Sequence, residues 1–418
     1  MKKYAVILIF ILSVMIILPK YSSDKNHNFE MIVGNPVVIA QGKSYSELGW
    51  GPYQSPHLGY TVDGNIFVTF NGEKHNDNIT GYEDKRECYI SSDSGDSWVQ
   101  VPVETLAQGE YPMKNGCYFQ GIIPKNAYKA EWIKKYKPEY SSNESSNELF
   151  DCYKANKINE FDKQFYCKEF DPSTGEFHVF KSNIEWDNMP LIVLNGLIMP
   201  IDAWGGIASY FVDGDNLYMI MYSYGFDSES GAVTNDQYNL YFFKSDDNAR
   251  NWTYLDQILS VDSKLPSEAE GFCEADVVKD KDGSFRIIMR IGAGISCYTS
   301  KSVNDFQSWE MPEEFIGYGV CPQFAVLDNG IMVASYGRPG VYITATFDET
   351  RTEWITPYKL EIEGRTIQES WENSCCYTSL LKINGDEVLL AYSNFKYPNL
   401  DAKENESKTI LVRKIKFE

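Results

Sequence analysis

Residues Ser91 to Trp98 read SSDSGDSW, and three later stretches echo them. They are SDDNARNW from Ser245 to Trp252, SVNDFQSW from Ser302 to Trp309, and the looser TFDETRTEW from Thr346 to Trp354. Each follows a strand-like run. All share an opening Ser or Thr, an Asp or Asn two residues on, and a closing Trp. Only the first keeps a glycine, Gly95. Physically the pattern is a self-contained turn between antiparallel strands. Its Asp accepts backbone N–H bonds as an Asx-turn, its Gly supplies positive φ, and its Trp packs back under the hairpin. These residues are therefore structural and not catalytic. Recurrence of one such unit is the mark of a repeat architecture.

The segments between the repeats fit that reading. Ile66 to Phe70, Leu217 to Tyr224, Tyr238 to Lys244, Phe285 to Arg290 and Ile331 to Tyr336 alternate like strands. Asp63-Gly64, Asp213-Gly214 and Asp282-Gly283 precede several of them as turns. No segment shows a helical period beyond about two turns. Lys125 to Lys181 is polar and poor in alternation, and reads as an insertion with partial helix around Lys129 to Lys137.

Composition narrows the partners. The chain has 59 acidic and 38 basic residues among 418, a net charge of −21. Nucleic acid and anionic lipid both need clustered Lys and Arg, so neither is an expected partner. Aromatics at 15% identify a folding chain. Lys2 and Lys3 precede an uncharged run from Tyr4 to Leu18, about the length of a secretory h-region. Residues 1–22 read as a signal peptide or a signal anchor, which places the remainder outside the cytoplasm or at the cell surface. Any membrane contact would run through that anchor. Nine Cys leave at least one unpaired in a monomer, and Cys152 and Cys167 are candidates to pair in an oxidising compartment. With no C-x-x-C and four His, a zinc site is not expected, nor is any cofactor.

The octapeptide is the Asp box, and with it the chain resembles the sialidase superfamily over nearly its whole length after the N-terminal segment. The resemblance implies an all-β fold, a six-bladed β-propeller of the sialidase type spanning 34–418, at roughly 60–65 residues per blade. It also implies an exo-glycosidase releasing terminal sialic acid from glycoconjugates, with a retaining mechanism.

Four residues stand where that family has functional groups. Glu274, in GFCEADVVKDKDGSFRIIMR, precedes a strand, a turn, and a second strand ending in Arg290. The resemblance makes Glu274 the partner of the nucleophile and Arg290 a binder of the substrate carboxylate. The same spacing also reads as a cross-strand ion pair. Arg338, in SYGRPGVYITA, precedes the strand leading to the looser Asp box and would be a second carboxylate binder. It also reads as a turn Arg capping carbonyls. Tyr377, in Tyr377-Thr378-Ser379-Leu380, matches the family's nucleophile segment. A Tyr nucleophile avoids the repulsion that a carboxylate would meet at an anomeric carbon bearing its own carboxylate.

The first blade departs from the family. Tyr53-Gln54-Ser55-Pro56 stands where Phe/Tyr-Arg-Ile-Pro is expected, so Gln54 takes the place of an Arg. A neutral amide bonds a carboxylate roughly half as strongly as a guanidinium. Arg86 or Lys85 could supply the charge. The general acid falls on Asp77 or Asp84, with Glu73 and His75 nearby. Trp204 is either a stacking wall for a sugar or a core residue. Two further readings stay open. One is a glycosidase or lyase for another acidic sugar, uronate or rhamnose-type, with His57 and His75 moving protons. The other is a carbohydrate-binding propeller without catalysis.

Overall fold

The computed structural model describes residues 20–21, 29–74, 86–123, 128–129, 131–141, 150–159, 164–186, 189–194, 197–199, 207–226, 233–362, 365–399 and 406–418. The expected strands form, most of them longer than their sequence cores: Ile66–Asn71, Asn216–Phe226, Val233–Ser245, Phe285–Arg290 and Met332–Gly337. They belong to antiparallel sheets arranged as a β-propeller. Three sheets are meanders of four consecutive strands. They run His57–Tyr60 to Val99–Val101, Cys273–Lys279 to Glu313–Tyr318, and Val320–Val326 to Tyr358–Lys359.

The first strand of each unit lies innermost, and these inner strands pack on one another in turn. Ile207–Asp213 meets Cys273–Lys279, then Val320–Val326, Thr378–Lys382 and His57–Tyr60. An inner strand is a sheet edge whose outward N–H groups need partners. Polar side chains of the preceding strand supply them. Asp276 Oδ2 accepts from Phe324 N at 2.9 Å, Gln323 Oε1 from Leu380 N at 2.6 Å, and Ser379 Oγ from Leu58 N at 2.9 Å. The last of these links the end of the chain to its beginning. Closure is completed on the outside, where Met31–Val33 and Val37–Gln41 pair with the C-terminal strand Glu406–Phe417.

The sheets do not correspond to equal blades. Ile207–Asp213 to Asn251–Ile258 forms one meander, but its outer strand pairs in parallel with Glu176–Glu185 and so joins Gln164–Asp171 and Tyr118–Ile123 in a seven-stranded sheet. A separate five-stranded sheet contains Tyr128–Lys129, Tyr140–Ser141, Phe150–Lys154, Pro190–Leu194 and Leu197–Met199. The described residues of the polar region from Lys125 to Lys181 are thus mostly strand. Its described helix is 3₁₀ only, in two short pieces, Glu131–Lys135 and Ala155–Lys157. Apolar residues at alternate positions, such as Phe165, Cys167 and Ile184, bury against Trp252 and carry that outcome. Cys152 and Cys167 are buried in different sheets and are not bonded to each other; each packs as a small apolar side chain. Among the described residues no helix is long and apolar enough to cross a membrane.

The repeat turns behave as their chemistry dictates. Asp93 Oδ1 accepts from Asp96 N at 3.1 Å and Ser97 N at 2.8 Å, and Asp247 repeats this with Arg250 N and Asn251 N at 3.1 and 2.9 Å. The glycine position keeps its positive φ even where glycine is gone. Gly95 has φ 92°, Ala249 59°, Phe306 66° and Arg351 61°. Holding a side chain there costs about 1–2 kcal/mol. Each replacement is buried, so packing between blades offsets the strain. Phe306 stacks on Tyr218 at 4.6 Å, and Arg351 reaches Asp280 of the preceding blade.

Candidate active site

The groups that carry chemistry gather where three inner strands begin. Each entry passes through a non-glycine residue at positive φ: Glu274 at 42°, Cys321 at 42°, and Cys376 at 61° just before Tyr377. Glu274 lies in a bulge between Cys273 and Asp276, and Cys321 in one between Val320 and Gln323. Bulges and left-handed residues re-aim side chains that a regular strand would send elsewhere, and such strain concentrates at functional sites. Gly319, at φ 101°, makes the approach to Cys321 possible. A Cβ there would fall 1.5 Å from Gly337 O, beside the turn that carries Arg338. Gly319→Ala is expected to lower stability by about 2–4 kcal/mol through backbone strain and overpacking, read as a denaturant midpoint.

Glu274 is the hub. Its Oε1 accepts from the Tyr377 phenol at 2.8 Å and from Arg290 Nη1 at 2.8 Å, while Oε2 accepts from Cys321 N at 2.9 Å. Arg290 is delivered by strand register, since Cys273 pairs with Arg290 across the hairpin. The pair is a cross-strand ion pair whose carboxylate also accepts from the tyrosine. Burial, and then the Glu274 charge, push the Tyr377 phenol well above its ordinary value, with Arg290 and Arg338 pulling the other way. The phenol is neutral at neutral pH, and Glu274 is placed to receive its proton.

Arg338 is 7% exposed. Its Nη2 donates to Cys375 O at 2.6 Å, and its guanidinium lies 5.2 Å from the Tyr377 ring and 5.7 Å from the Trp50 ring. It does cap a carbonyl, and it does so next to Tyr377. Gln54 is 3% exposed and precedes His57–Tyr60, the inner strand beside that of Tyr377. Arg290 Nε, Arg338 Nε and Gln54 Nε2 are buried donors with no acceptor. Buried donors are almost always satisfied, so such orphans call for an explanation. Here they fall on the three positions that the resemblance assigns to carboxylate binding. Arg86, a candidate to supply the missing charge, donates from Nη2 to Ser55 O at 3.1 Å and Thr69 Oγ1 at 3.0 Å. Asp77, Asp84, His75, Lys85 and Trp204 lie outside the described residues.

Three features were not read from the sequence. Glu270 Oε2 takes Arg290 Nη2 at 2.8 Å, so both terminal nitrogens of Arg290 already face carboxylates. Only its place four residues before Glu274 hinted at this. Trp50 covers Arg338 from a loop without periodicity. Asp276 lies on the channel wall two residues after Glu274. Burial pushes its carboxyl up to about 7, against the pull of Phe324 N, Val277 N and His57. A carboxyl raised on folding favours the folded state fully below its unfolded value and loses that contribution as pH rises through about 7. Stability is expected to fall by about 2–4 kcal/mol between pH 4 and 8, and Asp276→Asn to flatten that slope in denaturant titrations. Among the described residues no cluster of His, Cys, Asp and Glu has the geometry of a metal site.

No family model matches the chain, and none of the curated proteins does. Solved structures do. A protein of unknown function from Dyadobacter fermentans is 14% identical over 93% of this chain and 99% of its own, with a TM-score of 0.56. An α-L-arabinanase of Penicillium chrysogenum, solved with arabinobiose, is 12% identical over 90% of this chain and 98% of its own, with a TM-score of 0.46. The NanB sialidase of Streptococcus pneumoniae is 13% identical over 92% of this chain and 70% of its own, with a TM-score of 0.44. At these identities the similarity is one of fold.

Proposed function

We propose that the chain is a retaining glycoside hydrolase. The observation that carries this is the 2.8 Å bond from the Tyr377 phenol to Glu274 Oε1, an oxygen that Arg290 shares. As Tyr377 Oη attacks the anomeric carbon, its proton passes to Glu274 and the glycosidic oxygen leaves, protonated by an acid expected at Asp77 or Asp84. A covalent glycosyl–tyrosine results. Water then attacks the same carbon, the acid residue takes a proton from the water, and Glu274 returns its proton to the phenolate. Arg290, bonded to the same carboxylate oxygen, holds Glu274 in place and steadies the phenolate as it forms.

The substrate we propose is a terminal sialic acid. Its support is the three acceptorless donors of Gln54, Arg290 and Arg338. The test is release of fluorophore from an aryl α-sialoside by the purified chain. Absence of turnover at every pH from about 4 to 7 would remove sialic acid from consideration.

A second reading has its own observation. Arg290 and Arg338 are balanced by Glu270 and Glu274, so these four groups carry no net charge, and Gln54 adds none. His57 Nε2 stands 3.8 Å from Glu110 Oε2 on the channel-lining strand of the first blade. Proton transfer through His57 suits a lyase or glycosidase acting on a uronate or rhamnose-type glycan. An ultraviolet absorbance rise on a uronate polymer would select it. Secretion or surface anchoring through residues 1–22 is proposed with either chemistry.

A further inference from the structure

Trp50 and Trp371 are large apolar residues left exposed, at 38% and 40%. Their ring centroids lie 6.2 Å apart at an interplanar angle of 52°, which makes an open trough. Both walls are fixed. Trp50 is braced edge-on by the buried Phe395 at 6.1 Å. Trp371 sits on the helix Ile367–Asn373, whose Thr366-Ile-Gln-Glu369 start is a complete capping box. Ser370 Oγ of that helix accepts from Gly340 N at 2.9 Å, fastening the helix to the turn that carries Arg338. The Arg338 guanidinium lies 5.7 Å from Trp50 and 5.2 Å from Tyr377. The trough is therefore continuous with the reacting phenol, separated from it by one guanidinium.

We propose that Trp50 and Trp371 form a stacking subsite for the second sugar of a glycan, the unit joined to the one held at Tyr377. This rests on the glycosidase reading. The C–H face of a pyranose is apolar and its rim is polar, so it fits between an indole face and an arginine edge. The terminal sugar occupies Tyr377 and Glu274, and the trough begins one residue's breadth further out, where the next unit of the chain must lie. Rigid aromatic walls bind at low entropic cost, and this is a reason to leave two Trp side chains in water.

The test uses the full chain carrying Tyr377→Phe, which binds without turnover, on an array of acidic and neutral oligosaccharides beside their terminal monosaccharides. At least one oligosaccharide is expected to bind about tenfold tighter than its terminal unit. Trp371→Ala should erase that advantage and leave monosaccharide binding unchanged, while Trp371→Phe retains most of it. Thermal melting of each variant confirms folding. Equal binding of oligosaccharide and monosaccharide, equal binding with and without Trp371, or no binding of any oligosaccharide would each overturn the subsite. Turnover of aryl glycosides by the unmodified chain reports separately on the glycosidase reading, because those substrates lack a second sugar.

Discussion

Tyr377→Phe is expected to lower kcat/KM on the α-sialoside by about a thousandfold or more, with thermal stability nearly unchanged. Phe keeps the ring whose centroid lies 5.2 Å from the Arg338 guanidinium and loses only the hydroxyl. Glu274 keeps two of its three donors, Arg290 Nη1 and Cys321 N. It is not left as an uncompensated charge, so the site retains its shape. What disappears is the bond-forming oxygen, and without it no glycosyl–enzyme forms. Glu274→Gln should cost a comparable factor, because the raised phenol then has no base. The double variant should be little worse than either single one, since the two residues act as a unit. Intact mass after incubation with a fluorinated sialoside supplies an independent check. The unmodified chain should gain the mass of one sugar, and the Phe variant none.

Arg351→Gly is expected to lower folding stability by about 3 kcal/mol, although it restores the glycine that the first repeat has at Gly95. Arg351 Nη2 donates to Asp280 Oδ1 at 2.6 Å and Nε to Asp280 Oδ2 at 3.0 Å. Its Nη1 donates to Gly330 O and Asp348 O at 3.0 and 3.1 Å. The two side chains are 5% and 3% exposed, so this is a buried pair. Removing one member strands the other, and relief of the left-handed φ returns only part of the loss. Arg286 Nε, 2.9 Å from Asp280, holds the effect toward the lower end. Burial would raise the Asp280 carboxyl, but its bonds from Arg351, Lys281 N and Arg286 bring it below the ordinary value. A lowered carboxyl stabilises the fold above its unfolded value near 4 and loses that contribution as pH falls through the lower folded one. Urea midpoints measured from pH 7 down to 2.5 should therefore show a smaller acid loss in Arg351→Gly than in the parent.

These two predictions draw on different parts of the chain's legibility. The repeat turns were readable because an Asx-turn is local. Asp93 needs only the N–H groups of the next few residues, so its pattern survives in sequence. The strands were readable through alternation for the same reason. The region from Lys125 to Lys181 misled because its strands bury one face under a neighbouring blade while the other stays polar. Composition then resembles a loop, although Phe165 and Cys167 pack against Trp252. Cys152 and Cys167 suggested a bond by proximity in sequence, but the chain between them crosses to another sheet.

The sequence by itself determined the strand-and-turn repeat, the all-β class, and the order Glu274, Arg290, Arg338, Tyr377 as a set worth testing. Each of those is carried by local periodicity or by residue type at a fixed spacing. Only the tertiary structure decided what surrounds them. Glu270 competes for Arg290, Arg86 is already engaged, Trp50 covers Arg338, and Arg351 stands in for a glycine in order to reach Asp280. All of these depend on which blades become neighbours when the ring closes. Contacts between residues as distant as Tyr377 and Glu274 leave no period in the chain. They arise only once the inner strands lie side by side with their first residues at one end, which brings a phenol, two carboxylates and two guanidiniums into the same few ångströms.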